Sequence, residues 1–278
     1  DEYYFVPLNR PYDDVQSIYK LNLEMKKRRC LVHELVLNKD KSIITIVNGI
    51  SYVLIKLCKY KNDKVFLNDI NYIQNMTVNI ECDKSLVRNE WIKLWSEKID
   101  YYEYQISQVG KKYPLLCDSL SYFIGMAENA ISYLVNNLDS KTNVNLVVSH
   151  KRIYQERGSL NFYDPLNFVV DSRVRDVAEF IKETFYNKTL NLYDLKSYFN
   201  MANLNKNEYI LLLGRLLFPT YYFDIYDDII NKGKSEELVV NIIDRTDEYE
   251  SLLNTIYKFI LYEKKVRLEP IEWLQDKN

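Results

Sequence analysis

Residues 149–182 read SHKRIYQERGSLNFYDPLNFVVDSRVRDVAEFIK, and the way this stretch folds decides the architecture of the chain. A β-branched run, NLVVSH (145–150), leads into His150; KRIYQERG (151–158) makes a connection, and SLNFYD (159–164) is read as the returning strand. His150 thus opens a short hairpin and Asp164 closes it. Asp176 follows twelve positions later at the start of a helix that runs from about Arg173 to Asn187. Asp164 before Pro165 is ordinary turn-starting chemistry, and Asp176 stands where a carboxylate caps helix N–H groups. Between 149 and 163 there is no aspartate, and Glu156 is the only carboxylate.

Upstream, YDDVQSIYKLNLEMKKRR (12–29) has helical spacing and ends in a basic cluster, Lys26 to Arg29, read as a solvated helix end favoured by the dipole. The period then changes to two. CLVHELVL, SIITIV and SYVLIKL alternate, and Asn48-Gly49 between the last two is a strong hairpin signal, so residues 30–58 read as a three-stranded antiparallel meander. From residue 64 onward the pattern is mostly helical. The stretch 85–110 puts Leu86, Trp91, Leu94, Trp95, Ile99, Tyr102 and Ile106 on one face, and 120–138 is apolar enough for a buried helix. Further helices are expected near 191–201, 205–217, 221–232, 234–243 and 246–262. The organisation is α+β: a small lobe, residues 1–83, and a larger helical lobe, residues 84–278.

Composition narrows the function classes. A net charge of −2 gives no electrostatic case for nucleic acid or an anionic membrane, and no apolar run approaches the roughly 18–20 residues of a membrane span. The first residues, DEYYFVPLNRPYDDV, carry no basic-then-apolar signal for secretion. Four cysteines without C-x-x-C spacing, with two histidines, argue for reduced thiols in a cytoplasmic setting rather than structural zinc. His33 lies on an expected strand with no metal-ligand pattern about it. Six glycines leave no glycine-rich phosphate loop, while 25 tyrosines supply rings suited to half-buried positions and interaction surfaces.

LWSEKIDYYEYQI (94–106), YFIGMAENAISYL (122–134), FYDPLNFVVDSRVRDVAEFIK (162–182) and GRLLFPTYYFDIYDD (214–228) carry a resemblance. In these residues the chain resembles the spore-coat-associated, kinase-like proteins related to aminoglycoside and choline phosphotransferases. The resemblance implies a protein-kinase-like fold with a small antiparallel-β lobe and a helical lobe. In that superfamily the catalytic loop reads His-Gly-Asp with an Asn five residues after the Asp, a metal-binding Asp follows on a second strand, and a further Asp opens a helix and braces the loop. Onto this sequence the resemblance carries His150 as the loop histidine, Asp164 as the metal-binding aspartate and Asp176 as the brace. The glycine position holds Lys151, the base position Arg152, and the Asn position Arg157. Lys56 in YVLIKL takes the place of the lysine that contacts nucleotide phosphates, and its usual glutamate partner has no counterpart, LNDINYIQ offering only Asp69. By helical spacing, Tyr221, Tyr222 and Phe223 read as core.

Arginine stays protonated and cannot act as a base, and its charge works against a dication at the same place. Lys151, Arg152 and Arg157 are instead suited to a phosphate or an acidic partner, or to simple solvation of a hairpin end. Three readings follow from the resemblance. The first is a non-catalytic kinase-fold protein, a pseudokinase, serving as a structural or binding component of a coat or scaffold with protein partners and a spore-associated location. The second is an ATP-dependent small-molecule phosphotransferase using Glu156 or Asp171 as an unorthodox base and Asp164 on Mg²⁺. The third is an ATP-binding sensor that transfers nothing, with Lys56 and Asp164 holding the nucleotide. An enzyme requires a second acidic group within reach of Asp164; a structural module has that space filled.

Overall fold

The computed structural model describes residues 1–60, 63–139, 144–156 and 158–275. In chain order the elements are β1 (Tyr3–Pro7), α1 (Tyr12–Lys27), β2 (Glu34–Val36), β3 (Ile44–Val47), β4 (Ile50–Lys56), α2 (Leu67–Met76), α3 (Trp91–Val109) and α4 (Pro114–Asn137). Next come β5 (Leu146–His150), α5 (Gly158–Phe162), β6 (Phe168–Ser172), α6 (Val174–Tyr186), α7 (Leu192–Met201), α8 (Lys206–Leu217) and α9 (Thr220–Lys232). The short α10 (Val240–Ile243), α11 (Thr246–Lys258) and the single turn α12 (Glu272–Gln275) complete the series. Two compact units are built from these: one comprises 1–89, 145–180 and 192–202, the other 90–144, 181–191 and 203–278.

In the first unit β4 is the central strand of an antiparallel sheet. β1 pairs with it along one edge, from Tyr3↔Lys56 to Pro7↔Tyr52. Along its other edge β3 pairs with residues 50–53 and β2 with residues 54–56, so these two short strands lie end to end. The expected meander is therefore corrected in two respects. β2 pairs with β4 rather than with β3, and the aromatic N-terminal residues form an unforeseen strand, too short and too lacking in turn signals to stand out. The β3–β4 turn follows its sequence: Asn48 (φ 51°) and Gly49 (φ 79°) both adopt positive φ, as a two-residue turn matched to strand twist requires. Helix α1 buries Val15, Ile18, Leu21 and Met25. Asn22 on its buried face accepts from the Leu35 N–H and donates to the His33 carbonyl, fixing the approach to β2. The basic cluster after α1 is only partly solvated. Arg28 donates to the carbonyls of Val78 and, more weakly, Met76 and Asn79, just past the end of α2, and Lys26 pairs with Glu34.

β5 and β6 form an antiparallel pair whose register runs from Leu146↔Ser172 to His150↔Phe168. The returning strand is thus FVVDS, not SLNFYD. The ladder ends at His150, so residues 158–162 have no strand to pair with and satisfy their backbone locally as the single turn α5. β6 is buried at all five positions and lacks the alternation that marks a half-exposed strand.

The second unit is helical. α3 begins at Trp91, later than the expected 85, because Val87 and Arg88 are extended: Val87 bridges to Val170 and the Arg88 N–H donates to its carbonyl. Trp91, Trp95, Ile99 and Tyr102 are buried as the spacing requires, while Leu94 is exposed. Tyr222 and Phe223 of α9 are core residues, stacked on Phe123 (3.8 Å) and Tyr102 (4.6 Å). α4 meets α8 closely at Gly214, where an added Cβ would lie under 3.0 Å from three side-chain carbons of Leu134. Glycine is the residue that permits that approach.

Candidate functional site

The site is built where β5 ends, within the first unit. Asp176, 2% exposed on the first turn of α6, accepts from the His150 backbone N–H (2.9 Å) with one oxygen and meets His150 Nδ1 (2.7 Å) with the other. The other ring nitrogen, Nε2, lies 2.7 Å from the Phe162 carbonyl, and the ring stacks on Phe162. Arg175 donates to the His150 carbonyl (2.9 Å) and to Asp171 (2.8 Å). His150 is thereby tied at its amide, its carbonyl and both ring nitrogens.

The loop then runs outward. The Lys151 N–H donates to the Asn167 carbonyl, and the exposed Arg152 guanidinium folds onto the Lys151 carbonyl (2.8 Å). Arg157 lies outside the described residues. Asp164 precedes a 3₁₀ turn, Pro165–Asn167, and accepts from the Leu166 N–H (2.9 Å). Burial is the main influence on its carboxyl and pushes it up to about 6, against the Leu166 N–H and the charges of Arg10, His150 and Lys151. Burial likewise brings the Lys151 ammonium down to about 8, with Arg10 and Arg88 adding repulsion.

Arg10, whose side chain is 1% exposed, was not singled out from the sequence. Its guanidinium donates to the Leu166 carbonyl (2.9 Å) and the Phe168 carbonyl, and approaches Asp14 at 3.4 Å. The segment that follows Asp164 is thus fastened to the start of α1. The partners are more than 150 residues apart in sequence, so no local pattern announces them.

The remaining candidates lie apart from Asp164 in their bonding. Lys56, at the end of β4, pairs with Asp1 (3.0 Å). Glu156 is exposed and pairs with Lys64 (2.8 Å). Asp171 is fully buried, its two oxygens taken by Arg175 and the Ser172 N–H. Tyr163, next to Asp164, packs with His33 and Tyr60, ring centroids 6.0–6.1 Å apart. The backbone N–H of Cys58, just past Lys56, donates to His33 Nδ1. Burial lowers the His33 imidazole to about 4, against the opposing pull of the Leu160 backbone, so this ring is neutral with its proton on Nε2.

Arg10 and Lys151 act on Asp164 as cations, and among the described residues no three acidic, histidine or cysteine side chains are grouped to hold a metal. A nucleotide-bound Mg²⁺ takes one or two carboxylates from protein and the rest of its shell from phosphates and water; Asp164 is a carboxylate of that kind, with the charges of Arg10 and Lys151 acting on it. One consequence is measurable. A carboxyl whose folded pKa is raised makes stability fall as pH rises from its unfolded value near 4 through about 6. Asp164→Asn keeps an oxygen for the Leu166 N–H and removes the charge. It is expected to raise stability at pH 7.5 by about 1–2 kcal/mol and to flatten the pH 4–6 decline, read from urea unfolding at a series of pH values.

A family model described as "Spore coat putative kinase YutH" matches residues 1–256. The chain belongs to that spore-coat YutH family. A relative within it, the endospore coat-associated protein YutH of Bacillus subtilis (strain 168), is 29% identical over 208 residues, 66% of this chain and 61% of the relative. The chain therefore spans about three fifths of the curated relative it matches. Solved structures share the fold of this YutH-family chain. An aminoglycoside phosphotransferase from Alicyclobacillus acidocaldarius matches with a TM-score of 0.56 at 10% identity, over 93% of this chain and 86% of that one. Spectinomycin phosphotransferase APH(9)-Ia, solved with ADP and spectinomycin, gives 0.55 at 10% identity, over 84% and 78%. Amicoumacin kinase hAmiN, solved with AMP-PNP and Ca²⁺, gives 0.50 at 12%, over 98% and 84%. The fold is kinase-like of the aminoglycoside phosphotransferase type. Among the described residues no helix is long and apolar enough to cross a membrane.

Proposed function

We propose that this chain is a non-catalytic, kinase-fold member of its family and acts as a binding component of a spore-coat-like assembly. The observation that carries this reading is the charge around Asp164. Where phosphoryl transfer needs a second acidic group, Asp164 is faced by Arg10, His150 and Lys151. The two acids considered as replacement bases, Glu156 and Asp171, are each paired with a cation. The packing of Tyr163 on His33 and Tyr60 supports a space filled by the protein's own rings. In this reading residues 1–83 and 84–278 are the two lobes, His150 and Asp176 are structural braces, and Lys151 and Arg152 face an acidic partner. Exposed tyrosines such as Tyr12, Tyr104, Tyr193 and Tyr262 supply stacking surfaces for assembly, from the cytoplasm onto the forming spore.

The alternative of ATP held by Lys56 and Asp164 without transfer has one point in its favour: a half-buried carboxylate whose ionisation burial opposes is what a retained functional charge looks like. Calorimetric titration of Mg²⁺-ATP, repeated on Asp164→Ala and Lys56→Ala, separates the readings. The expected result is no heat and no thermal shift at millimolar nucleotide. Saturable binding that both substitutions abolish would establish a working nucleotide cleft and end the non-binding reading.

A further inference from the structure

β1 is an edge strand of its sheet, and its free side is complementary to itself. We infer that two copies of this chain pair there, β1 against β1 in antiparallel register about a two-fold axis at Tyr4, so that the two sheets become one.

The register of β1 on β4 decides which backbone groups face outward. The Leu57 N–H donates to the Glu2 carbonyl and the Leu8 N–H to the Ser51 carbonyl, so Glu2, Tyr4, Val6 and Leu8 are the residues that bond toward β4. Tyr3, Phe5 and Pro7 turn their backbone groups to the other side, where no strand pairs with β1 among the described residues. Proline ends that row, since it has a carbonyl and no N–H. What remains is one donor and one acceptor at Tyr3 and the same at Phe5. An antiparallel copy presents these two pairs in reverse order. Tyr3 then exchanges both bonds with Phe5 of the second copy, and Phe5 with Tyr3 of the second copy.

The side chains fit the same register. Tyr3, Tyr4 and Phe5 are 45–50% exposed, three aromatics in a row on an edge of the kind that proteins guard with charge, proline or a bulge. In the pair, Tyr3 lies against Phe5 on the face where Phe5 already stacks on Tyr52 (4.7 Å), and Tyr4 lies against Tyr4 on the opposite face. Aromatic pairs directly across a ladder are among those that stabilise sheets. Charge selects the orientation. Antiparallel pairing sets Asp1 and Glu2 across from Pro7 and Val6, so the acidic ends of the two strands stay apart; parallel pairing would bring them together. Because both copies use the same edge, the contact closes at two and does not propagate into a filament.

A four-bond ribbon is a small contact, so the whole chain is examined by sedimentation velocity from about 5 to 200 µM. A reversible rise to twice the mass of the chain is expected. Tyr4→Lys sets two ammonium groups opposite each other at the axis and is expected to weaken association at least about tenfold. Phe5→Pro is expected to do the same with the fold intact, because the N–H it removes points away from β4; a thermal melt checks this, and Tyr3→Lys replaces it if the melt is lowered. The register is read by cross-linking in a Cys117→Ser background, Cys117 being exposed. Opposed residues of a non-hydrogen-bonded pair have Cα atoms about 4.5 Å apart, within reach of a disulfide. Tyr4→Cys is therefore expected to give a covalent dimer with oxidised glutathione, and Val6→Cys is not. A chain that stays monomeric at about 200 µM overturns the inference and leaves the edge to a strand of a different protein. A dimer that Tyr4→Lys and Phe5→Pro leave intact also overturns it, as does cross-linking of Val6→Cys as fast as that of Tyr4→Cys.

Discussion

Lys182→Met is expected to destabilise the protein by about 3–5 kcal/mol and to lower its midpoint by roughly 10 °C in a thermal melt. Lys182 sits on α6 and is 2% exposed. Its ammonium donates to the carbonyls of Arg215 (3.0 Å) and Phe218 (3.4 Å) and to the Thr220 hydroxyl. Those carbonyls belong to the last turn of α8, where helix geometry leaves acceptors without intrahelical donors and where a positive charge is favoured. Methionine fills much the same volume and donates nothing, so the Arg215 carbonyl is stranded in a dry interior, while the Phe218 carbonyl keeps only the Thr220 N–H (2.8 Å). The apolar contacts of the stem survive, so the loss reports the polar part. A measured change below 1 kcal/mol would mean that water reaches the α8 terminus and that Lys182 is dispensable there. The same turn carries Arg215, 4% exposed, whose guanidinium lies 5.0 Å from the Trp91 ring centroid and 6.0 Å from that of Trp95. Two buried cations thus organise the GRLLFPT segment that carried part of the family resemblance.

The sequence made the helices readable because their burial follows a short period. Trp91, Trp95, Ile99 and Tyr102 are spaced by three or four, and each is buried on α3. Asn48-Gly49 was equally plain, since two consecutive positive φ values demand residues of that kind. The strand paired with β5 was misplaced because β6 is buried on both faces, and a continuous apolar run carries no period. SLNFYD alternates, but alternation without a partner strand is not a ladder. The site residues divide along similar lines. His150, Asp164 and Asp176 could be named because they sit in one segment with a recognisable order. Arg10 and the Tyr163–Tyr60–His33 group could not, because each joins positions that only the finished fold brings together. The chemistry that bears most on function, cations facing Asp164, belongs to that second class.

Asp176→Ala is expected to cost about 3–5 kcal/mol, measured as a shift in the urea midpoint. The argument is one of stranded donors. Asp176 receives the His150 amide and sits 2.7 Å from His150 Nδ1, while Nε2 already faces the Phe162 carbonyl. With Asp176 gone, the amide and one ring nitrogen lose their partner in a place that water does not reach, His150 being 1% exposed. Asp176→Asn keeps one oxygen for the amide and should lose less. The double variant with His150→Ala should be less than additive, by at least about 1 kcal/mol, because the two side chains share one interaction. The outcome also bears on function. If the pair is a structural brace, the destabilisation is present in the protein alone and is unaffected by added Mg²⁺-ATP. If Asp176→Ala left stability intact but altered a nucleotide response, the pair would be serving a ligand, and the reading of this cleft as a filled frame would fall with it.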